Sequence, residues 1–328
     1  MNIELSQEQL SAEYWYLRDK KKRVIDFPQP LVALADTHAH LTVFQKTDPV
    51  EALVRAALAG LRFLVVPLDP TEDVKDVPAF LTWWDEIKEQ ARAMLEQLEE
   101  IGIAASSAKN LFDELYFIAG IHPYGAQIWL DDASAHERLD MLLAHPYCLG
   151  MGEIGLDFGP YNELPQEVQL ETFHQQLRMA HEYNLPVELH LRDGENDSLG
   201  HDLALQLLRK EGVPQAGCDL HCFTSGPEVM KPFVELGCHI AFGGAATFKR
   251  SDDIRAAFLA CPDELILSET DCPYMAPTPL RGMECEPAMV ALTIDFLAEQ
   301  RELAGVSSRA ETYRNFWCNA HKFFGLTF

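Results

Sequence analysis

From residue 31 onward, short β-rich apolar runs alternate with longer amphipathic stretches, and this alternation constrains the fold more than any other property of the chain. The runs occupy 31–35, 62–68, 116–120, 148–154, 186–191, 218–223, 239–243 and 264–269. Helical patterns fill 49–60, 163–183, 201–211, 228–236 and 252–260, and two more, 286–303 and 311–324, follow the last run. Such alternation is the pattern of parallel βα units. Eight strands each followed by a helix predict an α/β fold closed as a TIM (β/α)8 barrel, in preference to an open doubly wound sheet.

A barrel of this kind commonly takes about 250 residues as one unit. The 328 residues therefore divide into an N-terminal extension, 1–30, and a barrel domain, 31–328, with a long insertion, 71–115, after the second strand. The extension is expected to form a helix packed on the barrel floor or flank. The insertion carries Trp83, Trp84 and an acidic helical stretch over 85–100, which predicts an outer helix with a solvated face or, alternatively, a lid beside the barrel mouth.

Composition narrows the function classes. Apolar residues make up 48% and charged residues 23%, the balance of a chain that buries a sizeable core. No GxGxxG or GxxxxGK[ST] phosphate loop is present. There is no uncharged apolar run of about 18 residues, and the acidic, aromatic start is unlike a secretory signal, so a cytoplasmic location and no membrane partner are expected. The eight cysteines form no CxxC pair and are read as reduced, mostly buried thiols. A net charge of −25 excludes a broad basic face for nucleic acid, although a nuclease whose positive charge resides in bound metals stays open. The one basic cluster, 20–23, is read as a solvated face, and no obligate protein partner is evident.

Polar residues recur at the C-terminal ends of the strands, where a barrel places its active site. Asp36, Thr37, His38, Ala39 and His40 end the first run, and two histidines spaced by two project to one side of an extended chain. Glu153 ends the fourth run, His190 the fifth and His221 the stretch CDLH (218–221) of the sixth, while Asp271 closes the eighth. Four imidazoles and two carboxylates converging on one axis suit one or two divalent ions far better than an empty core. His174, His181, His201 and His239 lie elsewhere and are read as structural.

The segments DTHAHL (36–41), GIHPY (120–124), GEIGLDF (152–158), LPVELHLRD (185–193), HCFTSG (221–226), SETDCPYMAPTPLRG (268–282) and EP (286–287) together resemble the TatD family of metal-dependent deoxyribonucleases. The resemblance implies a TIM barrel whose metal ligands correspond to His38, His40, Glu153, His190, His221 and Asp271. Two departures are Leu191 before Arg192, where a small hydroxyl residue is usual, and HCFTSG in place of HCFSG. Two divalent ions (Zn2+, Mn2+ or Mg2+) are expected, with His38, His40 and Asp271 on one, His190 and His221 on the other, and Glu153 bridging. Asp271 and Glu153 are the candidate catalytic carboxylates, Asp271 as acceptor of the proton of the attacking water. His122, Arg192 and Arg281 are the candidate substrate contacts, and Asp157 and Glu269 the candidate carboxylates behind the imidazoles. The implied partner is a nucleic-acid end, DNA in the first place, or a small phosphodiester. The alternative is an amidohydrolase-like barrel acting on an ester, lactone or amide; several such enzymes bridge their metals with a carbamylated lysine, and no strand end here carries Lys.

Overall fold

The computed structural model describes residues 4–195 and 197–327. Eight short strands are present: β1 (Leu34–Asp36), β2 (Leu61–Leu68), β3 (Leu115–Ala119), β4 (Met151–Asp157), β5 (Val187–Arg192), β6 (Cys218–Leu220), β7 (His239–Phe242) and β8 (Ile266–Ser268). They pair in parallel and in chain order, β1 to β3 and β4 to β8. Backbone hydrogen bonds cross both remaining seams. Leu149 N donates to Phe117 O at 2.9 Å and Ala119 N to Gly150 O at 3.2 Å, which joins β3 to the approach of β4. Thr37 N donates to Ser268 O at 3.0 Å and His40 N to Cys272 O at 2.8 Å, which joins β8 to β1. The α/β barrel expected from the alternation is therefore the observed architecture. Strand bounds differ where these seams lie: the fourth strand starts at Met151, because Cys148 to Gly150 serve the seam with β3 instead.

Helices α1 (Pro49–Leu58), α2 (Val77–Glu100), α3 (Ala126–Asp131), α4 (Ala133–Leu143), α5 (Gln166–Tyr183), α6 (Leu199–Glu211), α7 (Pro227–Glu235), α8 (Asp252–Ala260), α9 (Val290–Ala304) and α10 (Arg309–Phe323) surround the strands. Local signals set their starts. Asp48 accepts from Val50 N and Glu51 N ahead of Pro49, and Ser308 and Glu311 form a reciprocal capping box at α10. Inside the barrel, Ala35, Phe63, Val65, Ile118, Ala241 and Leu267 pack with Phe323 and Phe324, so the end of α10 closes the floor.

The insertion after β2 is mostly α2, which begins at Val77, capped by Asp76, and is longer than the predicted 85–100. Its Trp84 is wholly buried and meets Phe117 edge-on at 5.7 Å between ring centroids. The extension forms one 3-10 turn, Ala12–Trp15, in place of the expected helix. Trp15 and Leu17 are buried in the main core, and the Tyr14 hydroxyl donates to Glu51 on α1, so side-chain anchoring holds this segment where regular backbone bonding does not. Among the described residues, no helix is long and apolar enough to cross a membrane.

Candidate metal centre

The strands' C-terminal ends bring six side chains of the sequence reading into one cluster. Glu153 lies at its middle. Its Oε1 is 3.4 Å from His40 Nε2 and 3.8 Å from His38 Nε2, and its Oε2 is 3.0 Å from His221 Nε2 and 3.2 Å from His190 Nδ1. Asp271 Oδ1 stands 3.8 Å from both His38 Nε2 and His40 Nε2. Among the described residues, the donor atoms of His38, His40 and Glu153 lie within 4.8 Å of one another, as do those of Glu153, His190 and His221 and those of His38, His221 and Asp271.

The local backbone explains the convergence. Asp271 and Cys222 adopt left-handed conformations, φ 54° and 46°, which turn the chain sharply just past β8 and β6; Asp tolerates this region better than most residues. Gly155, φ 146°, allows β4 to approach β5 so closely that a Cβ would meet the His190 carbonyl oxygen at 2.1 Å. Asp36 is not at the cluster: it is buried beneath, accepting from Thr270 N at 2.9 Å and Thr270 Oγ1 at 2.7 Å, and so fixes the chain between Glu269 and Asp271.

Carboxylates stand behind three of the rings. His190 Nε2 is 3.1 Å from Asp157 Oδ2 and His221 Nδ1 is 3.9 Å from Glu269 Oε2, the two residues singled out in the sequence. His38 Nδ1 is 2.6 Å from Glu188 Oε1, a residue the sequence reading missed. A signal existed: Glu188 precedes His190 by two, so both point to one face of β5, as Asp219 and His221 do on β6.

Charge and burial set the protonation of the cluster. Burial pushes His38 and His40 down to about 4, and His122 and His221 down to about 3, so these rings are neutral electron-pair donors at neutral pH. Burial acts the same way on His190, but its hydrogen bonds to Asp157 and Glu153 outweigh it and raise the ring to about 9. Burial opposes ionisation of Glu153, yet His38, His221 and His190 around it hold its carboxyl well below the usual range. Asp271 is pushed up to about 8 by burial and by the charge of Glu153. The donors fit divalent cations: His38 Nε2 and His40 Nε2 face each other at 3.0 Å, and His190 Nδ1 and His221 Nε2 at 3.2 Å, so nitrogen donors point at one another and at shared carboxylate oxygens.

A cavity of about 670 Å3 opens over the cluster. His122 and Arg192, two of the candidate substrate contacts, line it. His122 N donates to the buried Asp69 at 2.8 Å, and its ring meets that of His190 edge-on at 4.3 Å. The neighbouring carboxylates Asp157 and Asp193 are engaged by His190 and His201, and among the described residues Arg192 makes no ion pair. Its guanidinium lies 5.7 Å from the Tyr161 ring centroid. Arg281, the third candidate contact, is not among the lining residues, and its guanidinium sits over the Phe248 ring at 4.2 Å. Asp69, Glu72, Asp73, Tyr124, Tyr161 and Tyr274 line the cavity without having been singled out in the sequence.

The family described as TatD related DNase matches residues 35–325. The uncharacterized metal-dependent hydrolase YabD of Bacillus subtilis is 31% identical over 280 residues, covering 82% of this chain and 92% of its own. The 3'-5' ssDNA/RNA exonuclease TatD of Escherichia fergusonii is 32% identical over 217 residues, 64% of this chain and 78% of its own. Among solved structures, YJJV, a TatD homologue from Escherichia coli K12, superposes with a TM-score of 0.68 at 26% identity, over 90% of this chain and all (100%) of that one. The chain belongs to the TatD-related DNase family of metal-dependent hydrolases.

Proposed function

We propose that this protein is a two-metal phosphodiesterase that cleaves nucleotides from nucleic-acid ends. The observation that carries the reading is the central carboxylate: Glu153 turns one oxygen to His38 and His40 and the other to His190 and His221. A carboxylate can serve two cations in this way and a neutral imidazole cannot. In this reading His38, His40 and Asp271 hold one ion and His190 and His221 the other. Bound in pairs, divalent cations polarise a phosphoryl group, bring the pKa of water toward neutrality and neutralise charge on the leaving oxygen.

The chain's own groups do the rest. Asp271, beside the first ion's ligands, accepts the proton of the attacking water. Arg192 has its fork free of any ion pair among the described residues, and with His122 it receives the phosphate on one side of the cavity. Tyr161 and Tyr274, 77% and 56% exposed at the rim, offer flat faces on which bases stack without regard to sequence. Imidazole-rich ligation favours Zn2+ or Mn2+, and the carboxylates admit Mg2+.

The test is to incubate metal-reconstituted protein with single-stranded DNA, RNA and a small phosphodiester, with chelator and Asp271→Asn as controls. We expect strand shortening that chelator abolishes and that Asp271→Asn slows by about 100-fold or more, the size of a general-base contribution, with metal largely retained. Cleavage of a lactone, ester or amide with all three phosphodiesters intact would reject the nuclease reading in favour of amidohydrolase-like chemistry. Normal turnover in Asp271→Asn would remove the base assignment alone.

A further inference from the structure

We infer that Glu188 is a positioning residue that makes the two cation sites unequal, with the His38 side the tight one; the inference rests on the two-metal reading above. His38 is wholly buried, and its Nδ1 meets Glu188 Oε1 at 2.6 Å. Among the described residues, no other side chain within hydrogen-bond distance serves that nitrogen. With Nδ1–H donated to Glu188, the lone pair is left on Nε2, the atom that faces His40, Glu153 and Asp271. The carboxylate thus fixes the tautomer and the ring plane, and a carboxylate in this position also makes the ring a stronger donor.

The two strands pack tightly at this point. Gly152, the residue before Glu153, lies beside Glu188 across β4 and β5, and a Cβ there would come within 2.7 Å of Glu188 Cβ and 2.9 Å of Ile118 Cδ1. Glu188 is only 2% exposed, its Oε2 has no partner among the described residues, and its neighbour in register is Asp219, equally buried with both oxygens unpartnered. A carboxyl group placed so deep, on the strand that also carries His190, is costly to the fold when ionised unless a cation stands nearby.

The other half of the centre is built differently. The carboxylate behind His221 is Glu269, whose Oε2 is 3.9 Å from His221 Nδ1, outside hydrogen-bond reach; both atoms are buried and unpartnered. Glu269 spends its other oxygen on Cys222 N at 2.6 Å. His190 has Asp157 at 3.1 Å, but that side chain also serves Gly159 N at 2.6 Å, and His190 is more exposed than His38. The His38 site therefore has the better-oriented ligand, with the shortest carboxyl contact behind its ring.

Titration of metal-free protein with Mn2+, followed by calorimetry and by the spin resonance of free Mn2+, tests this without an activity assay. Wild type is expected to bind two ions in separable steps. Glu188→Gln, nearly isosteric, is expected to weaken the tighter step by about 10- to 100-fold and to leave the weaker step within a few-fold. Glu269→Gln is expected to spare the tighter step. Two steps unaltered in Glu188→Gln overturn the inference and leave the two-metal reading intact. A single ion in wild type overturns both. As a second check, nitrogen NMR should show, besides the Nδ1-protonated rings of His201 and His321, one further histidine with its proton on Nδ1 and protected from exchange, whose signal shifts in Glu188→Gln; its absence also overturns the assignment.

Discussion

His321, at the floor of the barrel, and the four histidines at its mouth are partnered in opposite ways. At the floor, His321 on α10 has its Nδ1 2.9 Å from Trp317 O and its Nε2 3.0 Å from Glu114 Oε2, so both ring nitrogens are occupied by the chain itself. Arg301, wholly buried, gives its terminal nitrogens to Asp263, to Phe258 O at 2.9 Å and to Cys261 O at 2.7 Å, with its Nε unpartnered. At the mouth, His38, His40, His190 and His221 turn ring nitrogens toward one another and toward Glu153, while carboxylate oxygens of Glu188, Asp219 and Glu269 stay unpartnered. The difference separates two kinds of buried polarity. Groups that the chain closes on itself stabilise the fold, whereas groups left facing like groups are complete only when something positive arrives from outside.

Removing the metal is the largest perturbation this contrast predicts. Chelation should abolish hydrolysis and lower the melting temperature, since a ligand at one hundred times its Kd stabilises by about 2.7 kcal/mol. A melt indifferent to chelator would break the contrast. The floor should answer in the reverse sense. Arg301→Ala leaves the Phe258 and Cys261 carbonyls without their donor and removes the group stacked on Phe258. It should cost about 3 kcal/mol in denaturant unfolding, while the folded fraction keeps full metal content; a loss of metal would show that the two ends are coupled.

Much of the mouth and little of its support was legible in the sequence. Period-two spacing put His38 and His40 on one face, and apolar runs ending in Glu153, His190 and Asp271 marked the strand ends, because position along a barrel strand dictates position at the mouth. Glu188 and Asp219 were hidden inside the runs PVELHL and CDLH, where a single acid reads as a weak interruption of a strand. Only the pairing of β5 with β6, and the reach of His38 across from β1, gives them a role. Whether Arg192 was free depended on His190 and His201 engaging Asp157 and Asp193, which is a tertiary fact. The place of Arg281, over Phe248 and outside the cavity lining, is a tertiary fact of the same kind.

Protons should stand in for cations at the mouth, which gives a smaller but sharper test. His190 is raised from 6.5 to about 9 in the metal-free protein, so its stabilising contribution is complete below about pH 6.5 and is lost as pH rises through about 9. Asp271 is raised from 3.8 to about 8, so the neutral form is favoured on folding and its contribution too is lost as pH rises, through about 8. Metal-free protein should therefore melt lower at pH 9 than at pH 7, and metal-loaded protein should change less. Binding at pH 7 should release about two protons, read from the dependence of calorimetric heat on buffer ionisation. No release, or a metal-free melt flat across this range, would mean that the mouth is not charged in the way described.

The smallest expected effect concerns the rim. Arg192 is the sole Lys or Arg among the described residues lining the cavity, which also carries Asp69, Glu72, Asp73, Glu153, Asp157 and Asp271. A polyanionic strand crossing such an opening depends on that one guanidinium as soon as it leaves the cations. Its contact with phosphate is made in the bound substrate and kept in the transition state, so losing it should raise KM and leave kcat nearly alone. Arg192→Gln should raise KM for single-stranded DNA about tenfold, the worth of one charge-assisted hydrogen bond, and reduce the salt dependence of KM. Arg192→Lys should fall between the two, since it restores charge without the planar fork. If instead kcat falls and KM holds, Arg192 acts on the transition state, and the division between a catalytic floor of the cavity and a merely binding rim must be redrawn.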